Sequence, residues 1–264
     1  MMADAMTHAP TAPLGRMLAE QIRSQVLIRW RIPAFSLTNL ALPIIFFTFF
    51  GLPLVNQTAP DGTNLGAYIL ASFAAYAVGS IMVFSFGIGV ATERAMRMDV
   101  LIRATPLPPG IYILAKVVTA LLFALVSLVL LIGYGIVVGG IRQEAGVWIS
   151  IVFRLLAGSL PFIGLGFAIG YLTGPNAAPA VANLIYLPLA FASGFFLPLN
   201  QLPAFIRRVA PYLPTYHYAQ LAWSAVGRRS EPLLTSLLWV AGYSILFLVI
   251  AIWAYQRDET SKFI

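Results

Sequence analysis

The chain has 264 residues, 60% of them hydrophobic and only 9% charged, with a net charge of +7 and no cysteine. A soluble domain carries roughly 45–50% apolar and about 25% charged residues, so this much apolar surface needs lipid as its solvent. An ordinary soluble enzyme, a disordered regulator, a disulfide scaffold and thiol or zinc–thiolate chemistry are excluded.

The first 31 residues are polar and proline-punctuated, without the apolar core of a secretory leader, so a cleaved signal peptide is not expected. Within them Leu14, Met17, Leu18 and Ile22 share one side of a helix, with Arg16, Glu20 and Arg23 opposite. That pattern reads as an interfacial helix lying on the membrane, with Trp30 near the head groups. A short solvated helix with accidental periodicity is the alternative.

Uncharged runs then mark the spans. Ile32–Pro60 holds 29 residues, Gly62–Thr92 31, Val117–Ile141 25, Leu155–Ile206 52 and Pro232–Gln256 25. A crossing helix needs about 20 apolar residues, so four runs hold one span each. The longest holds two, divided by the turn sequence Thr173-Gly174-Pro175-Asn176. The expectation is an all-α integral membrane protein of six spans, near 34–54, 67–91, 113–138, 149–171, 179–197 and 234–255. Residues 1–33 form a tail and the interfacial helix, 34–256 the transmembrane domain and 257–264 a second tail.

Ten of the sixteen Lys and Arg residues fall on one side if both termini are cytoplasmic. That is the orientation the positive-inside rule favours, and it assigns the basic excess to loops, with no nucleic-acid partner. Arg207, Arg208, Arg228 and Arg229, after the fifth span, pull mildly the other way.

Several chemistries lack their residues. There is no G-x-x-x-x-G-K-[ST] run, and the only lysines are Lys116 and Lys262. The two histidines do not suffice for a membrane metalloprotease: His8 lies in the tail and His217 reads as an interfacial residue between Tyr216 and Tyr218. Phe191-Ala192-Ser193-Gly194 lacks the leading glycine of a serine elbow. No acid falls inside the six expected spans, where an ion-coupled transporter keeps its carboxylates. Arg154 is the one ionisable residue at membrane depth, either snorkelling to the outer head groups or contacting an anion in a pathway. The energy input must come from a partner.

Two segments stand out. The loop after the second span reads Glu93-Arg94-Ala95-Met96-Arg97-Met98-Asp99-Val100-Leu101-Ile102-Arg103-Ala104-Thr105-Pro106-Leu107, a charged short helix and a proline turn. After the fifth span come Ser193-Gly194-Phe195-Phe196-Leu197-Pro198-Leu199, then Leu202-Pro203, then Pro211-Tyr212-Leu213-Pro214. Both resemble the permease subunits of the type-2 ABC exporter family. There an E-R-x-x-x-x-x-x-L-x-x-x-x-P pattern precedes the third span, and S-G-x-F-x-P-x-x-x-L-P with a later P-x-x-P follows the fifth. The resemblance runs from about Leu14 to Gln256 and includes the six-span layout. Many members have a glycine and a threonine where this chain has Arg97-Met98, which leaves the subfamily open.

The resemblance implies a non-catalytic subunit of the cytoplasmic (inner) membrane. It implies two copies of a separate ATPase that bind ATP and Mg, and a second permease copy, identical or sister. This chain itself would hold no cofactor. The first segment would dock on the ATPase through Glu93, Arg94, Arg97, Asp99, Arg103 and Pro106, with Glu93 near a helix N-terminus and favoured by its dipole; a solvated loop that only fixes topology is the alternative. The second would form re-entrant helices built on Ser193, Gly194, Phe196, Pro198, Leu202, Pro203, Pro211 and Pro214, against the alternative of an ordinary outer loop. Such backbone is tolerable at membrane depth only when protein or a water-filled cavity covers it.

Gly135-x-x-x-Gly139 and Gly166-x-x-x-Gly170 allow close helix contact, more simply inside the chain than at a dimer seam. The many phenylalanines, Phe84 and Phe86 among them, either face lipid or line an apolar pathway together with Arg154. On the second reading the substrate is a hydrophobic or amphipathic small molecule such as a drug, antibiotic or lipid-like compound; a glycan permease and a stand-alone channel or secondary transporter are the competitors.

Overall fold

A computed structural model describes residues 13–31, 33–59, 62–98, 102, 104, 105, 107–228 and 230–261. Ten α-helices run through them in chain order. They are α1 (Leu14–Trp30), α2 (Pro33–Phe46), α3 (Leu65–Ala95), α4 (Pro109–Val137), α5 (Ala145–Ala157), α6 (Leu160–Leu172), α7 (Ala178–Ala192), α8 (Ala204–Val209), α9 (Pro214–Trp223) and α10 (Leu233–Ser261). No strand forms among the described residues; a single antiparallel bridge, Thr58 with Asn64, closes the loop before α3.

The architecture is a bundle around α3. Its apolar stretch is 94% buried, whereas that of α10 is 22% buried and presents most of its leucines and isoleucines outward. A helix that is apolar all round and covered on every side is a core helix; one that is apolar and uncovered is suited to lipid. α3 packs against α2, α4, α6, α7 and α9, and α6 packs against α10. Helix α3 starts sharply because Asn64 caps it: Oδ1 accepts from the Ala67 N–H at 2.9 Å while Nδ2 donates to the Val55 carbonyl at 3.0 Å. The α3–α6 seam is tight because Gly166 and Gly170 carry no Cβ. One built on Gly166 would lie 2.8 Å from Phe86 Cβ and 3.0 Å from the Val83 carbonyl oxygen. The small-residue spacing therefore serves packing within the chain.

Among the described residues, four helical stretches are long and apolar enough to cross a membrane: Leu65–Ala95, Pro109–Val137, Ala145–Leu172 and Leu233–Thr260. The expected first and fifth spans are the shorter apolar stretches Asn39–Leu54 and Ala178–Ala192. Neither is a plain spanning helix, for local reasons. Pro43 sits inside α2, and the chain then widens into a π-turn over Phe47–Gly51 and a 3-10 turn over Leu52–Leu54. Gly51 makes the wide turn possible, since any Cβ there would sit 2.3 Å from the Phe47 ring. Helix α7 stops at Ala192, five residues before the expected end. Gly194 takes φ +86°, and Phe195 N–H bonds back to the Ala190 carbonyl, the left-handed cap that closes helices. The expected fourth span is two helices. Gly158 and Ser159 interrupt it, with Ser159 Oγ donating to the Leu156 carbonyl, and Pro161 restarts the helix where its missing N–H costs nothing.

Candidate functional site

The bundle has two polar ends. At the charged end α3 finishes, α4 begins, and α6 and α10 finish. Glu93 and Arg94 occupy the last turn of α3. Glu93 pairs with Lys116 of α4, whose side chain is 3% exposed and whose ammonium lies 5.0 Å from the centre of the Tyr112 ring. Arg94 pairs with Asp258 of α10. Its Nη1 also donates to the carbonyls of Gly170 at 2.7 Å and Thr173 at 3.2 Å, which end α6, and its guanidinium lies 5.7 Å from the Tyr171 ring centre. A cation on the unpaired carbonyls of a helix C-terminus is favourable. Beside this cluster, Arg29 in the last turn of α1 donates to Ser85 Oγ at 2.8 Å and lies 5.9 Å from the Phe123 ring centre. Burial lowers Arg29 to about 10, with Glu93 opposing the shift, so it stays charged at neutral pH. Five helices are thus joined at one end by charged side chains.

This corrects one expectation. Glu93 does not open a new helix; it lies in the C-terminal turn of α3, where the dipole disfavours a carboxylate by about 0.3–1 kcal/mol. The Lys116 ion pair compensates. Beyond Ala95 the chain turns sharply. Met96 N–H bonds to Thr92, Arg97 N–H bonds to Arg94, and Arg97, exposed, takes φ +51°. Asp99, Arg103 and Pro106 lie outside the described residues.

At the opposite, proline-rich end the chain leaves α7 and folds back into the bundle. Ser193 Oγ meets Thr215 Oγ1 at 2.5 Å, and Thr215 donates to the Leu189 carbonyl at 3.0 Å. Pro198 and Pro203 flank the turn Leu199–Gln201, α8 follows, and Pro214 starts α9. Every residue of α9 is buried. Several of its polar groups find partners inside the bundle, as burial demands, although Gln220 Nε2 is buried without one among the described residues. Tyr218 donates to the Leu155 carbonyl at 2.8 Å and Trp223 Nε1 to Ser72 Oγ at 2.8 Å. His217, placed at an interface by the sequence, is 1% exposed instead. Its Nε2 donates to the Pro211 carbonyl at 2.8 Å, its Nδ1 lies 2.7 Å from Glu231, and its ring stacks on Trp239 at 4.8 Å. Ser236 donates to the same carboxylate. His217 thereby ties Pro211, α9 and the start of α10 together.

The remaining candidates separate. Arg154 donates to Ser224 Oγ at 2.7 Å and the Leu221 carbonyl at 3.3 Å, so it holds the C-terminal end of α9. Phe86 is fully buried against Phe167, with ring centres 4.7 Å apart, while Phe84 is half-buried edge-on to Tyr186. Phe196 belongs to a cluster with Phe46, Phe50, Phe73, Tyr76 and Phe191. Leu202 is half-buried, and Pro203 and Pro211 are exposed. Arg154, Phe84 and Phe86 are not brought together in one described cavity. The residues that sequence reasoning passed over are Lys116, Asp258, Glu231 and Arg29. Their charge in an apolar chain was the available signal, but their partners lie 23 and 164 residues away for Lys116 and Asp258.

A sequence model of the ABC-2 type transporter family matches residues 20–226, most of the chain. A curated relative, "Putative transport permease YvfS" of Bacillus subtilis (strain 168), is 28% identical over 225 residues, covering 85% of this chain and 91% of its own length. The matched region takes in both polar ends up to the close of α9. With its apolar helices and the two motif segments in family order, the chain belongs to the ABC-2 type transporter family and is a membrane-embedded transport permease.

Proposed function

We propose that the chain is the membrane-spanning subunit of an ABC exporter, moving a hydrophobic or amphipathic small molecule across the cytoplasmic membrane. Two copies of a separate ATPase, binding ATP and Mg, power it, and a second permease copy completes the pathway. The chain crosses six times with both termini cytoplasmic, α1 lies at the interface, and the proline-rich segment with α9 re-enters from the outer side.

The observation that carries this reading is the joint at the charged end. Glu93–Lys116 and Arg94–Asp258 fasten the last turn of α3 to α4 and α10, and the segment bearing exposed Arg97 follows at once. A push on that segment is delivered to four helices, because Arg94 also holds the end of α6. That is what a docking loop of a motor-driven permease needs. The substrate class rests on apolar and aromatic surface with little charge at membrane depth, which suits lipophilic cations through ring attraction of ~0.5–2 kcal/mol.

The test is reconstitution with a Walker-A ATPase encoded beside this chain. Copurification and ATPase stimulation by a panel of lipophilic cations are expected. Failure to bind the ATPase sinks the partnership, and stimulation by glycan precursors alone replaces the substrate class.

A further inference from the structure

From Leu155 to Ser230 the sequence carries four arginines and no acid. Two of them, Arg207 and Arg208, stand on α8 at the proline-rich end, and both are exposed. Among the described residues neither forms an ion pair. The next acid along the chain, Glu231, is engaged by His217 and Ser236. Two adjacent cations thus sit in a stretch of chain without a counter-charge of its own.

The shape of α8 bears on what surrounds them. Half-buried Ile206 and fully buried Ala210 form its inner edge, and the helix packs on α7 and on the turn Ala210–Tyr212. At about 100° per residue, Phe205 and Val209 fall on one flank of that edge and Arg207 on the other, with Arg208 facing outward between them. Phe205 is 69% exposed and Val209 50%. An element with a buried edge, an apolar flank and a cationic flank suits a place in the plane of a membrane interface.

An independent observation gives its level. Tyr212, 65% exposed, lies edge-on to Trp239 with ring centres 6.5 Å apart, and Tyr243 stacks on the same indole at 5.8 Å. The Tyr243 hydroxyl donates to the Tyr212 carbonyl. Rings with one apolar body and one wet end collect at the head groups. This aromatic belt directly follows α8.

We propose that α8 lies in the head-group layer of the outer leaflet and binds anionic phospholipid through Arg207 and Arg208. A guanidinium fork matches the paired oxygens of a phosphodiester, while Phe205 and Val209 enter the acyl boundary. The bound anion offsets arginines on the side that the positive-inside rule leaves poor in them. Only the assignment to the outer leaflet rests on the orientation proposed above; the lipid preference does not.

The experiment uses the full chain carrying Val209→Cys, a unique thiol in a cysteine-free protein, labelled with bimane. The labelled protein goes into phosphatidylcholine nanodiscs holding equal mole fractions of either brominated phosphatidylglycerol or brominated phosphatidylcholine. Relative quenching reads the local enrichment of each lipid at α8. At low salt, phosphatidylglycerol should be preferred by about fivefold for each arginine, and added salt should erode the preference. Arg207→Gln with Arg208→Gln should abolish it. Arg142→Gln, another exposed arginine of the same end, should leave it within about twofold, because general surface attraction falls off within a Debye length. Equal quenching by the two lipids in the parent, or a preference that survives the double substitution, overturns the proposal. Quenching by neither lipid overturns it too, and disulfide crosslinking between copies at position 209 would then give this face to a second permease. ATPase attachment does not enter the measurement, so these outcomes leave the transport reading to its own test.

Discussion

Arg94 in α3 and Asp258 in α10 are 164 residues apart and form an ion pair at the charged end, with Arg94 about a quarter exposed and Asp258 less than a tenth. Removing one partner strands the other in a poorly hydrated place. We expect Arg94→Ala and Asp258→Ala to destabilise by about 2–3 kcal/mol each, below the ~3–5 of a fully buried pair because water reaches the arginine. Arg94→Ala should be the worse, since it also uncaps α6. The double variant should cost less than the sum. Thermal unfolding in detergent checks this, and strict additivity would mean that the two side chains do not interact.

Glu93 and Lys116 form the second joint, and their charges can be exchanged. Glu93→Lys alone places two ammonium groups together, and Lys116→Glu alone two carboxylates; both singles should fail to give a monodisperse protein on size-exclusion chromatography. The double exchange should recover much of the yield, helped by a cation in the last turn of α3, worth about 0.3–1 kcal/mol. Arg29, a second positive charge near Glu93, keeps the recovery partial. A double variant no better than the singles would show that the pair does not set stability.

The helices of this chain were legible because lipid imposes one rule, long apolar runs, and charge gaps mark their ends. α3, α4 and α10 lie where that rule puts them. What it could not give is how a run is interrupted. Gly158-Ser159 inside the fourth stretch and Ser193-Gly194 after the fifth are weak punctuation until a left-handed residue or a returning hydrogen bond uses them. The charged residues were harder. Counting charges places Glu93 and Asp258 outside the spans, yet the helices continue past the apolar run and carry both into ion pairs. His217 read as an interfacial residue because its partners, Glu231 and Trp239, are brought to it only when α9 folds back against α10.

The orientation has a direct test that the absence of native cysteine makes clean. Glu144 is exposed at the start of α5 and Arg97 just beyond α3, at opposite ends of the bundle. A single cysteine at position 144 should react with an impermeant thiol reagent on intact cells. One at position 97 should react only after permeabilisation. Asp61, outside the described residues, should behave like Glu144. Labelling at 97 on intact cells overturns the proposed orientation.

Arg97 allows its backbone and its side chain to be tested apart. At φ +51° a residue with a Cβ pays roughly 1–2 kcal/mol that glycine does not, although glycine returns part of this through its freer unfolded chain. Arg97→Gly should therefore leave thermal stability unchanged or raise it by up to about 1 kcal/mol. Arg97→Asn, a side chain that tolerates the left-handed region, should be close to neutral. Arg97→Val should destabilise, because a β-branched residue fits that region worst. If the exposed guanidinium contacts an acidic surface of the ATPase, all three variants weaken copurification alike, whatever their stability, and Arg97→Lys restores it in part. Attachment that instead follows stability, strongest in Arg97→Gly and weakest in Arg97→Val, would assign the residue to the turn and leave the docking contact to be sought elsewhere in the segment.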